Sequence, residues 1–100
     1  MTVQLLYNQV VQLPTSDNNV PRVTAKINGM LHIVIVPISG SVTLSLSLNG
    51  ISGGVGSGGT LSQGIWYDFD GVEVLEGDEI VIFGSSPVTA FLRVYVKSTF

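Results

Sequence analysis

The chain contains no cysteine, few charged residues and no long apolar run. Without cysteine, neither a disulfide framework nor thiol chemistry is available. The longest apolar segment, residues 33–38, is far shorter than the roughly 20 residues that a membrane-spanning helix needs. The first residues also lack the positive and apolar regions of a signal peptide. We therefore expect no membrane span and no signal peptide.

Charged residues make up 11% of the chain, which is less than half of the usual share of about 25%. With four Lys and Arg residues and a net charge of −3, the chain cannot neutralise a run of phosphates, so neither nucleic acid nor an anionic membrane is an expected partner. A surface rich in hydroxyl and amide groups is poorly defended against association. This favours a protein that packs against its own copies, and the alternative is a soluble domain that is simply low in charge.

The clearest structural signal is the alternation of apolar and polar residues over residues 41–49. Successive side chains of a strand point to opposite faces, so this segment predicts a strand with Val42, Leu44, Leu46 and Leu48 facing the core. Other segments are rich in β-branched and aromatic residues and are separated by turn-forming residues. They predict further strands over residues 3–7, 9–13, 22–27, 31–36, 65–69, 80–83 and 88–96.

No segment has the pattern of a capped helix of useful length. The sequence predicts one all-β domain over residues 1–100, an antiparallel two-sheet sandwich and most specifically an eight-stranded jelly roll. Residues 50–59 contain six glycines. They lack the lysine and the following helix of a phosphate-binding loop, so we interpret them as a surface loop, with a contact loop as the alternative.

Six of the seven acidic residues lie within residues 68–79. Asp68 and Asp70 suggest a calcium loop, but the spacing of an EF-hand is incomplete, and a solvated strand edge or turn is the alternative. His32 is the only histidine, and no serine or acid is placed beside it by local spacing. We therefore expect no catalytic residues, no cofactor and no metal, and a protein that is not an enzyme.

Trp66 lies in the densest aromatic cluster of the chain. The alternation over residues 65–69 places Ile65, Tyr67 and Phe69 on one face and Trp66 on the other, together with the acids. An exposed indole ring can stack on the apolar face of a pyranose. Trp66 is therefore our candidate ligand contact, and packing in the core is the alternative.

The segments 48–50 and 64–80 contain a strand that ends in Asn-Gly, a Gly-aromatic strand, and a Gly-Asp turn that opens the next strand. This pattern resembles the small jelly-roll proteins of virus particles: decoration, turret and minor capsid proteins of phages and archaeal viruses. The resemblance covers about the last 60 residues, and lectin-like and tumour-necrosis-factor-like jelly rolls share its motifs. It carries no functional residue over to this chain.

Two functions are therefore expected from the sequence. The first is a structural protein of the virion, assembled in the host cytoplasm, that binds its own copies, with a trimer preferred, and other capsid proteins. The second is a lectin-like module that binds a glycan. Strands 31–36 and 88–96 are apolar on both faces, which predicts an interface on the outer face of the last strand. The alternative is that these residues flank barrel-like corners. The candidate interface residues are Phe91, Arg93, Tyr95 and Phe100.

Overall fold

The computed structural model describes residues 2–15 and 22–98, and this part of the chain is built from strands and one turn of 3₁₀ helix. None of its helical segments is long and apolar enough to cross a membrane. The 3₁₀ turn is Val55–Gly58. The strands are β1 (Val3–Gln12), β2 (Val23–Thr24), β3 (Gly29–Pro37), β4 (Val42–Leu48), β5 (Ile51–Gly54), β6 (Thr60–Leu61), β7 (Tyr67–Val74), β8 (Glu79–Gly84) and β9 (Thr89–Lys97).

The strands form two antiparallel sheets that pack as a sandwich. The four-stranded sheet has the order β1-β9-β3-β7, and the other has the order β2-β8-β4-β5, with β6 paired to β4 beyond β5. Since β5 and β6 both pair with the same strand, together they take the place of one strand. Counted in this way, the two orders become 1-8-3-6 and 2-7-4-5, which is the strand order of a jelly roll. The predicted fold is confirmed.

The core lies between the inner faces of the two sheets. In β4, Val42 and Leu44 are 2% and 0% exposed, as the alternation predicts. They pack in one cluster with the inward side chains of β3 and β9. Each fully buried aliphatic side chain contributes about 1.5–3 kcal/mol relative to exposure. Ser47, which we expected on the polar face, is buried as well, at 1% exposure.

The first two predicted strands are one continuous strand. A break was expected at Asn8, but β1 runs from Val3 to Gln12, and its irregularity is a bulge between Leu5 and Tyr7. A bulge inserts one extra residue without ending the strand. Asn8 does not turn the chain, because its side chain lies on the outside of the sheet beside Arg93.

The strand predicted over residues 65–69 begins at Tyr67 and continues to Val74. The expected turn at Gly71 is a second bulge in the pairing with β3, opposite His32. Gly71 has φ +103, a value that residues with a Cβ rarely adopt, so glycine lets the strand bend there and go on.

Part of the glycine-rich segment is ordered strand, which corrects the prediction of a loop. Residues Ile51–Gly54 form β5 and pair with β4, and Val55, at 8% exposure, belongs to the core. Gly56 then packs directly on the ring of Phe69: a Cβ at Gly56 would lie 2.5 Å from the ring carbon Cε1 of Phe69. The segment thus covers the gap between the two sheets beside β7.

Gly56→Ala is expected to lower the free energy of unfolding by more than Gly50→Ala does. Both glycines have positive φ, +64 and +86, which costs an alanine about 1–2 kcal/mol. Only Gly56 adds a clash with Phe69, because nothing lies within 4 Å of a Cβ at Gly50. Urea unfolding of the two variants measures the difference. Equal losses would show that the contact between Gly56 and Phe69 adds nothing to stability.

Asp78 stabilises the turn between β7 and β8. Its carboxylate accepts hydrogen bonds from the backbone N–H of Leu75 at 2.8 Å and from the side-chain amide of Asn49 at 2.9 Å. The amide oxygen of Asn49 in turn accepts from the backbone N–H of Glu79. The bond from Leu75, and after it the bond from Asn49, holds the pKa of Asp78 below its ordinary value.

Because folding lowers the pKa of Asp78, its contribution to stability is complete above the pKa of the unfolded chain and is lost as pH falls through the native pKa. In Asp78→Asn, the free energy of unfolding is therefore expected to fall less than in the parent protein as the pH is lowered into the acid range. Urea unfolding across this range measures it, with Glu76→Gln as the control for removing a charge from the same turn. An unchanged pH profile in Asp78→Asn would contradict the assignment.

Candidate functional site

The outward side of the four-stranded sheet carries most of the residues singled out from the sequence. Its side chains alternate with the core residues of β1, β9 and β3, and Trp66, just before β7, lies on the same side because its ring contacts Phe91. We call this surface the aromatic face. Its principal members are Leu5, Asn8, Val10, His32, Val34, Val36, Trp66, Asp68, Phe91, Arg93 and Tyr95.

A polar row crosses the middle of the aromatic face. The pairing register places Asn8 beside Arg93, Arg93 beside Val34, and Val34 beside Asp68, so the row spans all four strands. The Nε of Arg93 donates a hydrogen bond to the Oδ1 of Asn8 at 3.0 Å. The three polar members are all exposed, so the row presents both donors and acceptors to a ligand lying on the sheet.

On one side of the polar row lie Trp66 and Phe91. Their rings meet edge to face, with centroids 5.8 Å apart and planes at 61°. The guanidinium carbon of Arg93 is 5.4 Å from the centre of the Phe91 ring, a distance at which a cation and a ring attract each other. Phe91 is thus half-buried under its neighbours, whereas Trp66 is 67% exposed.

On the other side of the polar row lie Tyr95 and His32. The rings are parallel, with centroids 4.8 Å apart, so His32 packs against an aromatic neighbour on the outside of the sheet. Both side chains are only half-buried. The aromatic face therefore presents rings on both sides of a hydrogen-bonding row, and neighbouring rows are about 7 Å apart, since a strand rises about 3.4 Å per residue.

The structure brings together four residues that the sequence singled out for two different purposes. Phe91, Arg93 and Tyr95, the candidate interface residues, share the aromatic face with Trp66, the candidate ligand contact. Phe100 lies outside the described residues. Phe91 and Tyr95 are half-buried, and each is partly covered by a neighbouring ring.

The sequence did not indicate Asn8 as a member of the candidate site, because Asn8 was interpreted as a break between two strands. Its place on the aromatic face follows from the bulge near Leu5, which changes which residues of β1 point outward. His32 and Val34 could have been found, because they alternate with the buried residues Leu31 and Ile33.

Asp68 and Asp70, the residues considered for calcium, lie in different surroundings. Asp68 belongs to the polar row, whereas Asp70 lies in the bulge of β7 and borders a groove between the sheets. Among residues 2–15 and 22–98, no three His, Cys, Asp or Glu side chains are grouped closely enough to hold a metal ion. We assign no cation site here.

The described residues line cavities between the sheets, of which two are relevant here. The larger, about 800 Å³, is a groove between β5 and β7 with walls of Leu46, Phe69 and Val72 and with Gly54 and Ser57 at its rim. The smaller, about 210 Å³, lies under β1, where β2 is too short to cover the inner face. Both are lined mainly by aliphatic and aromatic side chains. The larger groove combines one ring, Phe69, with the polar side chains of Asp70 and Ser57, whereas the aromatic face presents several rings and an indole that is 67% exposed.

Comparison with known proteins gives structural likenesses and no sequence match. No family model and no curated protein matches the chain. Among solved structures, the chain is similar to the C-terminal CBM6 of LamC, a marine laminarinase from Zobellia galactanivorans, with a TM-score of 0.48 and 16% identity. The alignment covers 96% of this chain and 100% of that one.

Proposed function

We propose that this domain is a carbohydrate-binding module that holds a neutral sugar on its aromatic face. The observation that carries the proposal is Trp66, whose ring is 67% exposed at the end of a row of rings that borders the polar row. The proposal is of binding alone and assigns no catalytic residue. It corresponds to the second of the two functions expected from the sequence.

Trp66 and the polar row supply the two kinds of contact that a sugar needs. An indole ring is an apolar surface with a polar tip, and the C–H groups of a pyranose can cover it while the hydroxyls face sideways. Covering about 75 Å² of ring surface contributes about 2 kcal/mol at 25 cal/mol per Å². Arg93 can donate to the hydroxyls, Asp68 can accept from them, and Asn8 can do both.

The charges on the aromatic face favour a neutral ligand. In the polar row, Arg93 is balanced by Asp68 two strands away, and in an outer row Lys97 is balanced by Glu73, with Met30 between them. A strongly anionic glycan would meet the two carboxylates, and a cation would meet Arg93 and Lys97. A neutral hexose or pentose polymer is repelled by neither set of charges, because its hydroxyl groups can form hydrogen bonds with both the cationic and the anionic side chains.

Affinity electrophoresis tests the proposal directly. The purified domain should be retarded in gels that contain at least one neutral polysaccharide from a panel of glucans, mannans, galactans and xylans, and not in gels that contain a sulfated polysaccharide alone. Unchanged mobility across the neutral panel would contradict the proposal.

A second candidate function is supported by a different feature. On the outward side of β1, Val3, Leu5 and Val10 are 56–59% exposed, and aliphatic side chains that are exposed together can mark an association surface. Such a surface fits a structural protein of a virus particle that binds its own copies and other capsid proteins. Mass spectrometry of virus particles from the source organism tests this: the chain should be present in stoichiometric amount, and its absence would refute the role.

A further inference from the structure

Within residues 2–15 and 22–98, the regular part of β1 forms a sheet edge with no charge, no proline and no further paired strand. β1 contains ten residues, and none of them is charged or proline. Beyond its bulge, residues 7–12 pair regularly with β9, and no described strand pairs with the opposite side of β1. An edge of this kind exposes a row of backbone donors and acceptors that proteins normally protect with charge, proline or a short strand.

The other edge of the same sheet is protected by charge, whereas the bulge of β1 lies near its start and leaves residues 7–12 regular and uncharged. β7 carries three carboxylates, Asp68, Asp70 and Glu73, and it is bent by the bulge at Gly71. Charges and bulges are the devices that prevent a further strand from adding to an edge. The two edges of the sheet are therefore not equivalent: one is closed to association and the other is open.

We propose that a second copy of this chain pairs antiparallel with β1, so that two four-stranded sheets form one sheet of eight strands about a two-fold axis. Side chains that lie directly opposite each other must be on the same face of a sheet. If both aromatic faces lie on the same side of the eight-stranded sheet, one residue of β1 must therefore lie opposite the same residue of the other copy, and the two-fold axis passes between them. A centre at Val10 places the two Val10 side chains opposite each other and Asn8 of each copy opposite Gln12 of the other.

The distribution of charge favours a second copy of the chain as the occupant. Pairing through β1 brings two uncharged strands together, and it places the carboxylates of the two β7 strands at opposite ends of the sheet. Seven intervals of about 4.8 Å separate them by about 34 Å, far beyond the screening length of about 8 Å. Pairing through β7 would instead bring six carboxylates together. Because the β7 edges are protected, the assembly stops at two copies.

This association is independent of the proposed sugar binding. Pairing in the plane of the sheet leaves both aromatic faces open, whereas the trimer expected from the sequence would have covered Phe91 and Tyr95. The two faces would lie side by side, so a polymer that binds one copy would find the second within reach.

Sedimentation equilibrium of the purified domain tests the proposal, with Val10→Lys as the informative variant. We expect a reversible dimer whose Kd rises at least tenfold in Val10→Lys, because two lysines would lie directly opposite each other. Ile51→Lys is the matched control, since Ile51 is also an exposed aliphatic residue on a strand, at 78% exposure, but lies in the other sheet. It should leave the Kd unchanged, and circular dichroism should show both variants folded.

Cysteine cross-linking provides a second, independent readout, because the natural chain has no cysteine. Directly opposite residues have Cβ atoms about 4.5–5.5 Å apart, close enough for small adjustments to allow a disulfide. Val10→Cys should form a covalent dimer under mild oxidation much faster than Ile51→Cys does. The proposal is overturned if the parent protein is a monomer at hundreds of micromolar, if it is a trimer, or if the Val10 and Ile51 variants behave alike.

Discussion

Leu44→Asp is expected to leave the domain unfolded at room temperature. Leu44 lies at the centre of β4 and is 0% exposed, so the substitution removes about 1.5–3 kcal/mol of apolar burial. It also places a carboxylate between the sheets with no partner for its charge, at a further cost of several kcal/mol. The total stability of a domain is about 5–15 kcal/mol, and the combined loss is of that order.

Ile51→Asp is the control for this substitution, because it makes the same kind of change on a strand that pairs with β4 but at a side chain that is 78% exposed. Circular dichroism and thermal unfolding should show a strand-rich, cooperatively folded protein for Ile51→Asp and neither property for Leu44→Asp. A folded Leu44→Asp variant would show that the inner face of β4 is wrongly assigned.

Trp66→Ala is expected to reduce the affinity for a neutral polysaccharide at least tenfold. The estimated 2 kcal/mol from covering one face of the ring corresponds to a loss of affinity greater than tenfold. The contacts of the ligand with the polar row remain in the variant and retain part of the affinity. Stability should change little, because Trp66 is mostly exposed and contacts the rest of the face mainly through the edge of Phe91.

Ile65→Ala is the matched control for Trp66→Ala. Ile65 is the preceding residue and is 51% exposed, so the variant also removes apolar surface from the same segment but no aromatic ring. Isothermal titration of both variants with the polysaccharide that retards the parent protein separates the two effects. Equal losses of affinity would mean that general apolar surface, and not the indole ring, holds the ligand.

The fold could be predicted where one strand showed a strict period of two. The alternation in β4 assigned its inner face correctly at Val42 and Leu44, since a half-buried strand needs only its own sequence to show which side is buried. The glycine-rich β5 could not be predicted, because its pairing depends on β4 and on packing against Phe69. Its own residues have little preference for a strand.

The candidate site was only partly predictable, for a related reason. Alternation showed that Phe91, Arg93 and Tyr95 share one side of their strand. It also placed Trp66 on the opposite face of its predicted strand from Ile65. It could not show that Trp66 and Phe91 touch, because that contact depends on the register of β3 between β9 and β7. The polar row depends on the same register, and on a bulge in β1 that the sequence does not mark.

The most direct test of the proposed function is to map the ligand on the domain by NMR. A ¹⁵N-labelled sample is titrated with a soluble oligosaccharide of the neutral polysaccharide that retards the protein in gels. We predict that the largest shift changes occur at the indole N–H of Trp66 and at the backbone amides of Phe91 and Arg93. Changes confined to the groove around Phe69 and Ser57, or no changes at saturating oligosaccharide, would contradict sugar binding by the aromatic face.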